Sequence, residues 1–186
     1  HVIHRRQRQM CIRDRDYIRS IKDYPKKGIL FRDITTLIKN ETAFEESINQ
    51  IVERSKKFRV DKIAAIESRG FVFASAVSYI LKKPFIMLRK KNKLPADVHS
   101  VDFELEYGTA TIEVHKDSIS ENDSVLIIDD LIATGGTAEA AAKLIEISKG
   151  NIAAFIFVIN LFDLGGCDNL LKKGYKVENL MDFPGH

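Results

Sequence analysis

The stretch "SVLIIDDLIATGGT", Ser124 to Thr137, decides the fold. Val125 to Ile128 are apolar at successive positions, so both faces of a strand there need cover, as in the middle of a parallel sheet. Two adjacent acids, Asp129 and Asp130, end the run. Gly135 and Gly136 follow, and then "TAEAAAKLIEISK" (137–149), an Ala-rich helix with Gly150 just past its end. Without Cβ atoms the two glycines let backbone N–H groups turn inward. The helix N-terminus adds partial positive charge, so Ala133, Thr134, Gly135, Gly136 and Thr137 read as an anion nest, with two hydroxyls as extra donors. The spacing and the lysine of a Walker loop are missing, and there is no GxGxxG, so the phosphate held need not be one in transfer. Carboxylates only accept hydrogen bonds, and suit the vicinal hydroxyls of a ribose or a Mg²⁺ held by them. A ribose carrying a 5′-phosphate satisfies loop and acids together. The plainer alternative is a tight strand-to-helix turn capped by the acids, but two acids at an apolar strand end are costly without partners.

Outward from this stretch, strand-like and helix-like segments alternate. "TAFEESINQIVERSKKF" puts Phe44, Ile48, Ile51 and Val52 on one helical face. "DKIAAIE" reads as a short strand, "GFVFASAVSYILKK" as a buried helix stopped before Pro84, and "PFIMLRK" as the next strand. "ELEYGTATIEVH" alternates polar and apolar residues as a solvated β-ribbon, and "IAAFIFVIN" is another two-sided strand. The pattern predicts one α/β domain with a mostly parallel, twisted sheet flanked by helices. Ligands of such sheets bind beyond the carboxyl ends of the strands. That rim receives "ESRG" (67–70), "RKKNK" (89–93) and "DDLIATGGT" (129–137).

The chain has 186 residues, enough for one domain with a core, and its 45% hydrophobic and 30% charged content is that of a soluble globular protein. A net charge of +3 suits an anionic small ligand without excluding others. No apolar run is long enough to span a bilayer. Cys11 and Cys167 lack a pairing pattern, which points to a reduced, cytoplasmic setting. His99 and His115 lack metal-ligand spacing. The Arg-rich residues 1–15 are expected to lie outside the fold, as a non-native or disordered basic arm, rather than to bind nucleic acid.

"VLIIDDLIATGGT" resembles the phosphoribosyl pyrophosphate signature of the type I phosphoribosyltransferases. "DYPKKGILFRDIT" (23–35), "ESRGFVFASAV" (67–77), "LRKKNKLP" (88–95), "LEYGT" (105–109), "NLFDLGG" (160–166) and "FPGH" (183–186) resemble, in the same order, the adenine-specific members of that family. The resemblance covers residues 16–186. It implies a small base-binding hood and a β-ribbon flap over about 94–115. The implied reaction is adenine plus 5-phosphoribosyl 1-pyrophosphate giving AMP and pyrophosphate, in cytoplasmic purine salvage. It further implies a homodimer and Mg²⁺ held mainly by the substrate, with no dedicated protein metal site and neither nucleic acid nor membrane as partner.

By the same resemblance Asp129, Asp130 and residues 133–137 bind the ribose phosphate. Ser68, Arg69, Arg89, Lys90 and Lys93 take the pyrophosphate, with the arginine of the 89–93 loop coming from the neighbouring subunit. Leu30, Phe31, Arg32 and Leu161 line the adenine site. Glu106 and Tyr107, with Asp129, face the reaction. A flap is needed because water competes for an oxocarbenium-like centre. Lys91-Asn92 stand where related sequences often carry Pro-Gly, which implies a differently shaped loop. Each segment also has a plainer reading: Arg69 paired with Glu67, "RKKNK" as a solvated charge run, "ILF" as a core strand with Arg32 paired to Asp33. Two rival functions stand beside the main one, transfer to another purine such as xanthine or hypoxanthine, and a non-catalytic nucleotide-sensing regulator.

Overall fold

A computed structural model describes residues 16–105 and 108–185. Residues 1–15, Glu106, Tyr107 and His186 lie outside the described residues, so the expectations for the basic arm and the flap tip are not addressed by it. An N-terminal hairpin, β1 (Arg19–Lys22) and β2 (Leu30–Asp33), precedes helices α1 (Thr35–Lys39) and α2 (Glu41–Ser55). Then come β3 (Lys62–Ile66), α3 (Arg69–Leu81) and β4 (Phe85–Lys90). An antiparallel ribbon, β5 (Val98–Leu105) with β6 (Gly108–His115), leads into β7 (Ser124–Ile132), α4 (Gly136–Ile147) and β8 (Asn151–Leu161). A 3-10 turn at Phe162–Leu164, α5 (Gly166–Lys172) and β9 (Val177–Phe183) complete the chain.

Seven strands form the main sheet in the order β5-β6-β4-β3-β7-β8-β9. The five from β4 to β9 are parallel, and β6 joins β4 antiparallel with Arg89 opposite Glu113. The two-sided strands are interior, as their composition requires. Ile63, Ala65, Leu126, Ile128, Ile156 and Val158 pack on one face with α2 and α3. Ala64, Ile66, Val125, Ile127, Phe155 and Phe157 pack on the other with α4.

Helix α2 starts where Asn40 accepts the Ala43 N–H at 2.9 Å. Its buried face carries Ile48 and Ile51 as read, joined by Ala43 and Ser47, while Phe44 and Val52 are half-buried. Helix α3 ends at Leu81 with Lys82 in the left-handed region, two residues before Pro84.

The ribbon departs from its solvated reading. It begins at Val98, and Val101, Ile112 and Val114 are buried in the core shared with α4. Only its far half has the exposed alternation, because the near half is the sheet's edge.

The hairpin is held by Asp33. Its carboxylate accepts from Thr35 Oγ1 at 2.7 Å, from the Thr35 N–H at 2.9 Å and from Arg19 Nε at 3.0 Å. The Thr35 hydroxyl, then the Arg19 guanidinium, lower its pKa from 3.8 to about 2. The folded state therefore favours the ionised form, and this stabilisation is complete above pH 3.8 and lost as pH falls through about 2. Asp33→Asn is expected to cost about 1–3 kcal/mol at neutral pH, with the gap to wild type closing as the medium is acidified from about 4 towards 2 in urea melts. A gap independent of pH would show that the charge is not what holds the hairpin.

Candidate active site

The carboxyl ends of β3 and β7 open into a cleft of about 260 Å³, lined by residues 66–69 and 129–138, with Phe157 beneath. Two of the three rim segments read from the sequence thus share one cavity. The third, 89–93, and the residues of β2 do not line it.

Strand β7 runs on to Ile132, so the two acids sit inside the strand rather than at its tip. Asp130 is buried at 4% exposure and its Oδ2 lies 3.0 Å from Arg69 Nε. Asp129 Oδ1 accepts the N–H of Asp130 at 2.9 Å. Burial pushes the Asp129 carboxyl well above the ordinary range, and the charge on Asp130 adds to this. Burial also raises Asp130, against the pull of Arg69. The pair is thus short of positive charge and of donors. A diol or a cation would supply either.

Beyond the acids the chain turns at Gly135, whose φ of +94° is the left-handed conformation that favours glycine. Helix α4 begins at Gly136, leaving the N–H groups of its first turn free of intrahelical partners and directed at the cleft lined by Gly136, Thr137 and Ala138. Thr134 is exposed at the mouth.

Arg69 is the first residue of α3, and its guanidinium also lies over Phe31, 5.5 Å from the ring centroid. The local pairing of Arg69 with Glu67 does not occur. Glu67 instead accepts the Lys90 N–H at 3.0 Å and binds Arg89 Nε at 3.2 Å. The Lys90 N–H and the Arg89 guanidinium hold the Glu67 carboxyl below its usual range. Gly70 is helical. A Cβ there would lie 2.7 Å from Asp129 Oδ1 and 3.1 Å from the Ile128 carbonyl, so glycine lets α3 start against β7.

In the 89–93 loop Asn92 has φ +64°, the region a glycine would take and asparagine tolerates. The buried Glu113 accepts its N–H at 2.9 Å. Lys91-Asn92 thus form a turn with Asn92 in the left-handed region, anchored by Glu113. Lys90 and Lys93 are exposed.

Around the hairpin, Leu30 and Phe31 are half-buried and Phe31 meets Tyr24 edge-on at 5.1 Å. Arg32 is buried and does not pair with Asp33. It donates to Ser20 Oγ and to the Pro184 carbonyl at 2.7 Å, with the Phe183 ring 4.8 Å away. It clamps the hairpin to the C-terminal segment, and its side chain is committed to that clamp. Leu161 is buried at the end of β8 in the core that includes Phe183. Among the described residues no group of three or more His, Cys, Asp or Glu side chains is placed to hold a metal ion, and no helix is long and apolar enough to cross a membrane.

Sequence reasoning missed three contributors: Glu67 as the anchor of the basic loop, Glu113 as its second anchor, and the Gly165-Gly166 pair packed on the loop at 133–135. Only the last left a signal, a second Gly-Gly pair.

An anion loop, an acid pair and a parallel sheet define the class as a nucleotide-type transferase scaffold. The family model "Phosphoribosyl transferase domain" matches residues 33–177. An adenine phosphoribosyltransferase of Pelagibacter ubique is 84% identical over 172 residues, covering 92% of this chain and 98% of that one. The crystal structure of adenine phosphoribosyltransferase from Thermoanaerobacter pseudethanolicus superposes with a TM-score of 0.89 at 43% identity, covering 93% of this chain and 99% of that one. The Saccharomyces cerevisiae enzyme, complexed with adenine and an imino-altritol bisphosphate, gives a TM-score of 0.85 at 31% identity, covering 93% and 99%. The chain belongs to the phosphoribosyl transferase family, among its adenine phosphoribosyltransferases.

Gly70→Ala is expected to cost about 1–3 kcal/mol in stability and to weaken ribose 5-phosphate binding, since either Asp129 or the start of α3 must move. Thermal melts and calorimetric titration read both. A variant matching wild type in each would remove the close-approach role.

Proposed function

We propose that this protein transfers the 5-phosphoribosyl group of phosphoribosyl pyrophosphate to adenine, giving AMP and pyrophosphate, as a cytoplasmic enzyme of purine salvage. The observation that carries this is the half-buried Asp129 and the buried Asp130, the latter paired with Arg69, beside the N–H-lined loop, all in one cleft. The loop from Ala133 to Thr137 takes the 5′-phosphate, and the acids take the ribose hydroxyls. Ser68 and Arg69 receive the pyrophosphate, with Lys90 and Lys93 of the adjacent loop and Arg89 supplied by the neighbouring subunit. Mg²⁺, bound mostly by oxygens of the donor, would neutralise charge on the departing pyrophosphate. The acid pair fits an ion brought in with the substrate.

In the transfer, a bond forms between the base nitrogen and C1′ while the bond from C1′ to the pyrophosphate oxygen breaks, the electron pair leaving with the pyrophosphate, and the N–H proton of the base passes to the Glu106 carboxylate. Asp129, in the ionised form that incoming hydroxyl donors favour, stabilises the positive ribosyl centre. Glu106 and Tyr107, which join β5 to β6 in the sequence, cover it and exclude water. Arg69 leaves Asp130 for the pyrophosphate as the hydroxyls arrive, so one ion pair is exchanged for another. Leu30, Phe31 and Leu161 enclose the base. Backbone groups of residues 30–32 read its edge, while the Arg32 side chain holds the hairpin in place. Adenine and hypoxanthine present opposite donors and acceptors on that edge, and a mismatch costs about 1–3 kcal/mol per unpaired group.

The working form is a homodimer. Tyr79 is 85% exposed and Met87 45%, beside an open groove of about 610 Å³ lined by Tyr79, Ile80 and Phe85. A second copy covers this apolar face and brings its loop arginine to the site.

Purified protein given the donor, Mg²⁺ and a panel of bases should consume adenine and leave hypoxanthine, xanthine and guanine. Equal use of another purine would overturn the assignment of the base, and no transfer with any base would favour the regulator. Asp130→Ala should lower kcat roughly a hundredfold, and Arg69→Ala should raise KM for the donor about tenfold while KM for adenine stays. Equal loss for both substrates would remove Arg69 from the pyrophosphate side. Sedimentation should give a dimer that Tyr79→Glu dissociates, and a fully active wild-type monomer would refute the shared arginine.

A further inference from the structure

Gly165 and Gly166 have no part in the chemistry above, and Gly166 does not line the cleft. Yet their backbone is the surface on which the anion loop rests. The Gly166 N–H donates to the Ala133 carbonyl at 3.0 Å. A Cβ on Gly166 would lie 2.3 Å from that carbonyl oxygen, 2.8 Å from Ile132 Cγ1 and 2.9 Å from the Gly135 nitrogen. The approach is reciprocal, since a Cβ on Gly135 would meet Gly166 Cα at 3.2 Å and its carbonyl oxygen at 3.3 Å.

Two turns thus touch backbone to backbone. One follows β7 and opens α4 through Gly135 at φ +94°; the other follows β8 and opens α5 through Gly165 at φ +75°. Because β7 and β8 are hydrogen-bonded neighbours, the sheet sets the height of both turns. Any side chain at 166 would meet backbone of the loop, not the movable end of a side chain, so relief requires the loop itself to shift. The N–H groups of Gly135, Gly136 and Thr137 would then point elsewhere.

We propose that Gly166 is a positioning residue for the 5′-phosphate: its bare Cα and its N–H bond to Ala133 set where the loop's N–H groups converge. The proposal rests on reading residues 133–137 as the 5′-phosphate cradle. It separates affinity for the phosphate from affinity for the rest of the nucleotide, which a general packing role would not do.

Binding of AMP and of adenosine to wild type, Gly166→Ala and the neighbouring control Cys167→Ala is measured by calorimetry, with melting temperatures alongside. Wild type and Cys167→Ala should favour AMP. Gly166→Ala should keep its adenosine affinity within about twofold and lose about tenfold or more for AMP. Equal loss for both ligands, or none, would overturn the positioning role. A wild type with no preference for AMP would overturn the cradle reading and the proposal with it. Should Gly166→Ala fail to fold, amide NMR of the wild type decides. Ribose 5-phosphate should shift the Gly166 amide saturably together with those of Gly135 to Thr137, and adenine should leave it in place. A Gly166 amide that ignores ribose 5-phosphate while the loop amides move refutes the coupling.

Discussion

Two neighbouring carboxylates inside a strand share one guanidinium, and much of the site follows from that shortage. Asp129 and Asp130 lie in the carboxyl half of β7, deep enough that burial disfavours their charge, and among the described residues Arg69 is the cation ion-paired at this site, with Asp130. A buried charge that is only partly compensated is unstable in an apolar setting. Strand β7 is pinned on both sides by its parallel neighbours, β3 and β8, and cannot slide to bring the acids to water, so the two carboxyls respond by holding their protons more tightly. The ligand that best ends the shortage donates hydrogen bonds to the acids and presents anionic groups to Arg69 and the loop. Those requirements describe one molecule, a sugar with hydroxyls in the middle and phosphates at its ends.

The close approaches around this pair are made by glycines of different kinds. Gly135 is needed for its backbone conformation, whereas Gly70 and Gly166 are needed because there is no room for a Cβ. Gly70 brings α3, and with it Arg69, against the acids. Gly166 brings the turn after β8 against the anion loop. Removing space at either point moves a functional group through the backbone, which is how residues that donate nothing to a ligand shape its site.

The interior of the sheet was legible in the sequence because a strand covered on both faces has a composition few other elements share. Val125 to Ile128 and Ile152 to Asn160 are such runs, and both are strands. The turn that opens α4 was legible from Gly135 and Gly136 next to two acids. The short edge elements were not: β1 is four mostly exposed residues with no alternation, and "VENLMDF" of β9 mixes polar and apolar positions. Pairings were the hardest to read. Glu67 and Arg69 are two residues apart and look like partners, but the start of α3 turns Arg69 towards β7 while Glu67 faces β4. Arg32 likewise looked like a ligand-facing group or a partner of its neighbour Asp33. Besides Ser20 across the hairpin, it reaches the Pro184 carbonyl 152 residues further along, a separation no local pattern encodes.

That last contact orders events during synthesis. The hairpin emerges from the ribosome early, but the carbonyl that Arg32 grips belongs to Pro184, and Gly185 is tied to Asp163 at 2.6 Å. Closing a loop of that length carries an entropic cost that only the finished sheet can offset. The hairpin of a nascent chain therefore lacks this clamp until residue 184 has been made, and its docking waits on strands that are synthesised long after it.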